Sequence, residues 1–144
     1  MVEFIPDIQR LTQIFAQATA PTFFLGAVAA FVALMSSRLS TVIARIRFLN
    51  GIAGDDAARA PLKADVNRLR RRSRLLSSGI SASIISGICA TVLLAIVFAS
   101  EFMGLKYAYG AGVLFILATV FLGNGLLRFA REARIELSEA DEYE

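Results

Sequence analysis

Apolar and polar positions fall along this chain in long blocks rather than short alternations. The longest block runs from Leu75 to Ser100, 26 residues without a charge. About 20 helical residues cross a bilayer core of ~30 Å, so this block predicts a transmembrane helix. Arg70, Arg71, Arg72 and Arg74 flank it on one side and Glu101 on the other. A second block, 21–38, begins at Pro21 and closes on Arg38, and a third covers 107–127. The fold expected is all-α: a three-helix transmembrane protein with a cytoplasmic helical hairpin extension between spans 1 and 2.

The segments between the blocks carry helical periods of their own. In 1–20, Ile5, Ile8, Leu11, Phe15 and Ala18 recur at three- and four-residue spacing between glutamines, with Pro6 in the first turn. That predicts an amphipathic N-terminal helix, either lying in the membrane interface or forming a polar first turn of span 1. A cleavable signal fits poorly, because the first residues are acidic (Glu3, Asp7) and the apolar part is broken by glutamines. In 39–74, Leu39, Val42, Ile43, Ile46 and Leu49 share one face. Gly51, Gly54 and the pair Asp55 and Asp56 break the helix, Asp55 or Asp56 can cap a turn, and Pro61 can start a return helix. Leu62, Val66, Leu69 and Leu76 face one way on that return. Residues 128–144 leave the membrane as a helix, basic first and then acidic. A frayed, solvated tail is expected there, since exposed ion pairs contribute only ~0–1 kcal/mol.

Small residues mark where helices can approach. Gly79, Ser83, Gly87, Thr91 and Ala95 repeat every four residues in span 2, with Ser78, Ala82, Ser86 and Ala90 alongside. Such a row predicts close helix packing, within the chain or between protomers, and span 1 offers matching sites at Gly26, Ala29 and Ala33. Asn124 is the strongest polar group of span 3. It can bond across helices, or it can meet water four residues from Arg128. Tyr107 and Tyr109 fall where an interfacial aromatic belt is expected.

Composition agrees with a membrane class: 144 residues, 56% hydrophobic, 19% charged, mean hydropathy +0.63. The net charge of +3 does not argue for nucleic acid, because the basic residues flank apolar blocks. Residues 38–74 hold ten basic residues against three acids, whereas the connection between spans 2 and 3 holds one of each. The positive-inside rule therefore predicts a cytoplasmic 38–74 segment, an N-terminus outside and a C-terminus inside. Its cluster of Arg38, Arg45, Arg47, Arg68, Arg70, Arg71, Arg72 and Arg74 can also attract anionic lipid headgroups. The chain has no histidine, and its one cysteine, Cys89, sits inside an apolar block. No catalytic, cofactor or metal residue can be nominated. No span carries a charged residue between its ends, which disfavours proton-coupled transport and leaves an oligomeric channel or transporter, with a path lined by Ser77, Ser78, Ser81, Ser83 and Ser86, as the alternative.

Three stretches taken together, SRLSTVIARIRFLN (37–50), LRRRSRLL (69–76) and LLRFAREARIEL (126–137), resemble the bacterial membrane proteins grouped as domain of unknown function 2721. The resemblance rests on Arg38 and Leu39, on Arg45, Arg47 and Leu49, on Arg70, Arg71, Arg72, Arg74, Leu75 and Leu76, and on a Phe-x-x-Glu formed by Phe129 and Glu132. This chain has Ala44 where that family commonly has an acid. The resemblance implies the architecture and a location in the bacterial inner membrane. It implies no activity, ligand or cofactor. The expectation is a non-enzymatic structural or accessory protein, as a homo-oligomer or a small subunit of a larger complex.

Overall fold

The computed structural model describes residues 8–52, 54, 56–104 and 108–140. They form three long helices: α1 (Ile8–Asn50), α2 (Val66–Met103) and α3 (Ala108–Ala140), with a short 3-10 helix at Ala60–Asp65 leading into α2. At ~1.5 Å per residue they are roughly 65, 57 and 50 Å long, well beyond a ~30 Å hydrocarbon core. All three are long and apolar enough to cross a membrane. The helix start expected at Pro6, a cap from Asp55, the belt position of Tyr107 and the acids at 141, 142 and 144 lie outside the described residues.

The amphipathic N-terminal helix and span 1 are one element. α1 passes through Pro21 without a break. The proline leaves the Gln17 carbonyl without its helical N–H donor, and threonine hydroxyls add bonds to carbonyls near it. Here Thr19 and Thr22 donate to the carbonyls of Phe15 and Ala18, at 2.7 Å each. At the other end α1 continues past Arg38 to Asn50, where the Gly51 N–H bonds back to the carbonyls of Arg47 and Phe48. Pro61 sits in the first turn of the 3-10 helix, so the α-helical return starts at Val66, later than Pro61 suggests. α2 ends on Gly104, whose φ of 66° is the left-handed conformation that glycine adopts most readily; its N–H caps the Ser100 carbonyl.

α2 is the central element, with α1 packed on one side and α3 on the other; α1 and α3 meet mainly through long side chains. The buried positions step by seven. On α1 they are Pro21, Val28, Met35, Val42 and Leu49. On α3 they are Ala118, Gly125 and Glu132. α2 serves two neighbours and carries two such rows, Leu69, Leu76, Ser83 and Ala90, and Arg72, Gly79, Ser86 and Leu93. Seven-residue steps keep a seam between nearly antiparallel helices in register over many turns.

The character of the interior changes along the bundle. Toward the arginine-rich end it is a cluster of large side chains: Met35, Val42, Leu49, Ile52, Val66, Leu69 and Leu76, with Phe31, Leu39, Ile46, Ile80 and Phe129 against it. Leu62, expected in this seam, lies 38% exposed at its edge. Further down, the interior is Gly79, Ala82, Ser83, Ser86, Ala90, Ala118 and Gly125. The surface there is apolar instead, with Phe23, Ile88, Ile116 and Val120 turned outward.

Candidate functional site

The seven-residue register of α2 and α3 brings matching positions face to face: Ser86 with Ala118, Gly79 with Gly125, and Arg72 with Glu132. The first two pairs lie in the apolar zone, and the third lies beyond the uncharged blocks. α1 contributes Arg38 at the same level. The result is a four-charge cluster joining all three helices.

Glu132 is its centre and is fully buried. Its Oε1 accepts from Arg72 Nε at 3.0 Å and Nη2 at 2.8 Å, and its Oε2 accepts from Arg38 Nη1 at 3.2 Å. One turn on, Glu136 accepts from the same Arg38 Nη1 at 2.6 Å, and its second oxygen lies 3.3 Å from Arg72 Nη2. Among the described residues, two arginines thus meet two carboxylates. Burying a lone carboxylate is prohibitive, and charge-assisted bonds to both of its oxygens are what make the position tenable. Phe129 closes the outer side. Its ring lies 5.3 Å from the Arg38 guanidinium carbon and meets Phe31 edge-on at 5.4 Å. Among the described residues no buried side-chain nitrogen or oxygen is left without a partner.

Below the cluster, backbones replace side chains. A Cβ at Gly125 would stand 2.6 Å from Ser83 Oγ and 3.1 Å from the Gly79 carbonyl oxygen, so α3 presses directly on α2 here. Ser86 Oγ donates across the seam to the Ala118 carbonyl at 2.6 Å, while Ser83 donates within α2 to Gly79 at 3.0 Å.

The structure sorts the residues nominated from sequence. Ser83 belongs to the α2 and α3 contact, Gly79 lies between both neighbours with Met35 Sδ of α1 3.1 Å and the Gly125 carbonyl oxygen of α3 3.4 Å from where its Cβ would stand, and Gly87 turns toward Val28 of α1, 3.4 Å from where a Cβ would stand. The four-residue row does not stay in the seam, and Thr91 and Ala95 are exposed. The reason is angular: four residues overshoot a turn by ~40°, so such a row winds round the helix. Gly26, Ala29 and Ala33 are exposed and do not meet the α2 row within the chain; Val28 and Met35 do, being on the seven-residue stripe of α1. Asn124 is exposed and accepts from Arg128 Nε at 2.8 Å, so it bonds along α3 and not across helices. The basic cluster divides. Arg72 is buried and Arg38 half-buried, Arg45 lies 5.6 Å over Phe48, and Arg47, Arg68, Arg70, Arg71 and Arg74 are exposed.

The solvated tail is the main correction. α3 remains helical to Ala140, and Glu132 and Glu136 hold it to the other two helices. Once the seam is fixed, the seven-residue spacing of Ala118, Gly125 and Glu132 puts the acid on the packed face. At the opposite end Arg10 reaches Glu101 at 3.3 Å, an exposed pair. Among the described residues no three His, Cys, Asp or Glu side chains gather as a metal site would require.

The four residues at the cluster's heart, Arg38, Arg72, Phe129 and Glu132, come from the separate stretches that carry the resemblance noted above. A family model described as "Protein of unknown function (DUF2721)" matches residues 18–141, which include all of them. No curated protein and no solved structure matches the chain.

Proposed function

From the premise that this chain belongs to the DUF2721 family of proteins of unknown function, we propose that it is a non-enzymatic integral membrane protein with a structural or accessory role, working as a homo-oligomer or as a small subunit of a membrane complex. The observation that carries this reading is the cluster of Arg38, Arg72, Phe129 and Glu132. These four of the residues that mark the family bind one another across all three helices. Such an arrangement fixes three helices relative to one another, which is what a scaffold requires. The serines of the channel alternative do not share a passage within one chain: Ser83 and Ser86 are packed solid between helices, while Ser77 and Ser81 are on the outside.

The orientation belongs to the same proposal. Residues 39–74 project as a helical hairpin into the cytoplasm of a bacterial cell, with the N-terminus outside and the C-terminus inside. The ten-to-one contrast in basic residues supports the orientation, and the core of large aliphatic side chains at that end supports a projection into water. Purification from native membranes in mild detergent, with sizing and identification of co-migrating proteins, tests the role. A homo-oligomer or a defined complex is expected, and a lone monomer under all mild conditions would refute it. Reporter fusions at Gly54 and at the C-terminus should both read cytoplasmic.

A further inference from the structure

At the arginine end, a groove of about 620 Å³ runs down the outside of the α2 and α3 seam. Arg74 and Arg128 stand at its top, Ser77, Ser81 and Asn124 along it, and Phe121 lower down with Ile85. Both arginines differ from Arg38 and Arg72. Among the described residues no acid pairs with either, and Arg128 is held by the neutral Asn124 carbonyl oxygen, which orients the guanidinium without cancelling its charge. Arg74 immediately precedes the uncharged block of α2, and Arg128 immediately follows that of α3. The two cations therefore sit at the level where headgroups lie, and the groove descends from them into the apolar zone. Ser77, Ser81 and Ile85 are exposed, so its open side faces outward. The Ser81 hydroxyl bonds the Ser77 carbonyl of its own helix, at 3.1 Å, and can turn to donate to an anion.

We propose that this groove binds an acidic phospholipid, with the phosphodiester between Arg74 and Arg128 and an acyl chain along Ile85 and Phe121. Basic pockets between transmembrane helices on the cytoplasmic side suit such headgroups. The apolar floor selects a lipid over a free phosphate, because it offers an inorganic anion nothing. The site is separate from the Glu132 cluster and does not depend on the structural role proposed above.

The test uses the full chain in mild detergent with phosphatidylglycerol, phosphatidylcholine or inorganic phosphate, counting bound lipid by native mass spectrometry. Phosphatidylglycerol should be retained and phosphatidylcholine should not. Arg74→Gln with Arg128→Gln should weaken phosphatidylglycerol about tenfold or more, at roughly 1 kcal/mol for each arginine. Arg47→Gln with Arg71→Gln, exposed but away from the groove, should leave it unchanged. Ser81→Leu fills the groove while keeping both charges and should weaken binding as well. Equal losses from the two arginine pairs, or none from Ser81→Leu, would show a diffuse basic surface and overturn the site. Displacement of the lipid by millimolar inorganic phosphate would overturn its assignment as a lipid site.

Discussion

The two halves of this bundle are held together by different physics. Around Val42, Leu49, Val66, Leu69 and Leu76 the interior is large and aliphatic, and the exposed positions are mainly arginine and other polar residues. Around Gly79, Ser83, Ser86 and Gly125 the interior is small and the exposed positions are phenylalanine, isoleucine and valine. Water drives large apolar side chains inward, each contributing ~1.5–3 kcal/mol when fully buried. Lipid offers no such drive, so helices there must gain by close backbone contact and bonds across the seam. The charged cluster sits where the two regimes meet. There a carboxylate can be buried beside arginines that would be costly deeper in the membrane.

Substitutions along the bundle should separate these regimes, read by thermal unfolding in mild detergent. Glu132→Ala should have the largest effect, about 3–5 kcal/mol, because it removes the buried carboxylate on which Arg38 and Arg72 converge. Glu136→Ala, removing a half-exposed partner of the same arginines, should change stability by only ~0–1 kcal/mol. Leu49→Ala, in the aliphatic half, should lose ~2–5 kcal/mol by leaving a cavity. Gly125→Ala attacks the other half by adding one methyl group. It should lose ~1–3 kcal/mol as α3 is pushed off Ser83 and Gly79. If the alanine is tolerated without loss, close approach is not what holds the lower half. Ser86→Ala removes the hydroxyl bond across the seam and should lose about 0.6 kcal/mol, the usual size of such a bond in a membrane bundle. Gly26→Leu should be silent in a monomer, since the position is exposed and nothing lies within 4 Å of where its Cβ would stand. A fall in oligomer size with unchanged stability would identify the exposed Gly26 face of α1 as a contact between protomers.

Much of this architecture is legible in the sequence, for a simple reason. An uncharged block such as 75–100 has one stable answer in a bilayer, because every backbone N–H and C=O must be satisfied within the helix. Block length and flanking charge therefore announced three long apolar helices before any contact was known. Small residues at Gly79 and Ser83 announced a close approach by the same kind of reasoning. What they could not announce was the partner. A helical row shows which residues share a face, and the choice between α1 and α3 depends on how three helices fit around one another. That fit placed Gly125 on Gly79 and left Gly26 open.

Glu132 marks the boundary between the two kinds of knowledge. In sequence it is one acid in a mixed run of charges, and local chemistry gives such a residue to water. Its burial depends on Arg72, 60 residues away, and Arg38, 94 residues away, arriving at the same level of the bundle. Solvation of a carboxylate is lost unless several donors converge on it at once. Convergence of that kind is a property of the register between helices, so only the tertiary structure could decide it.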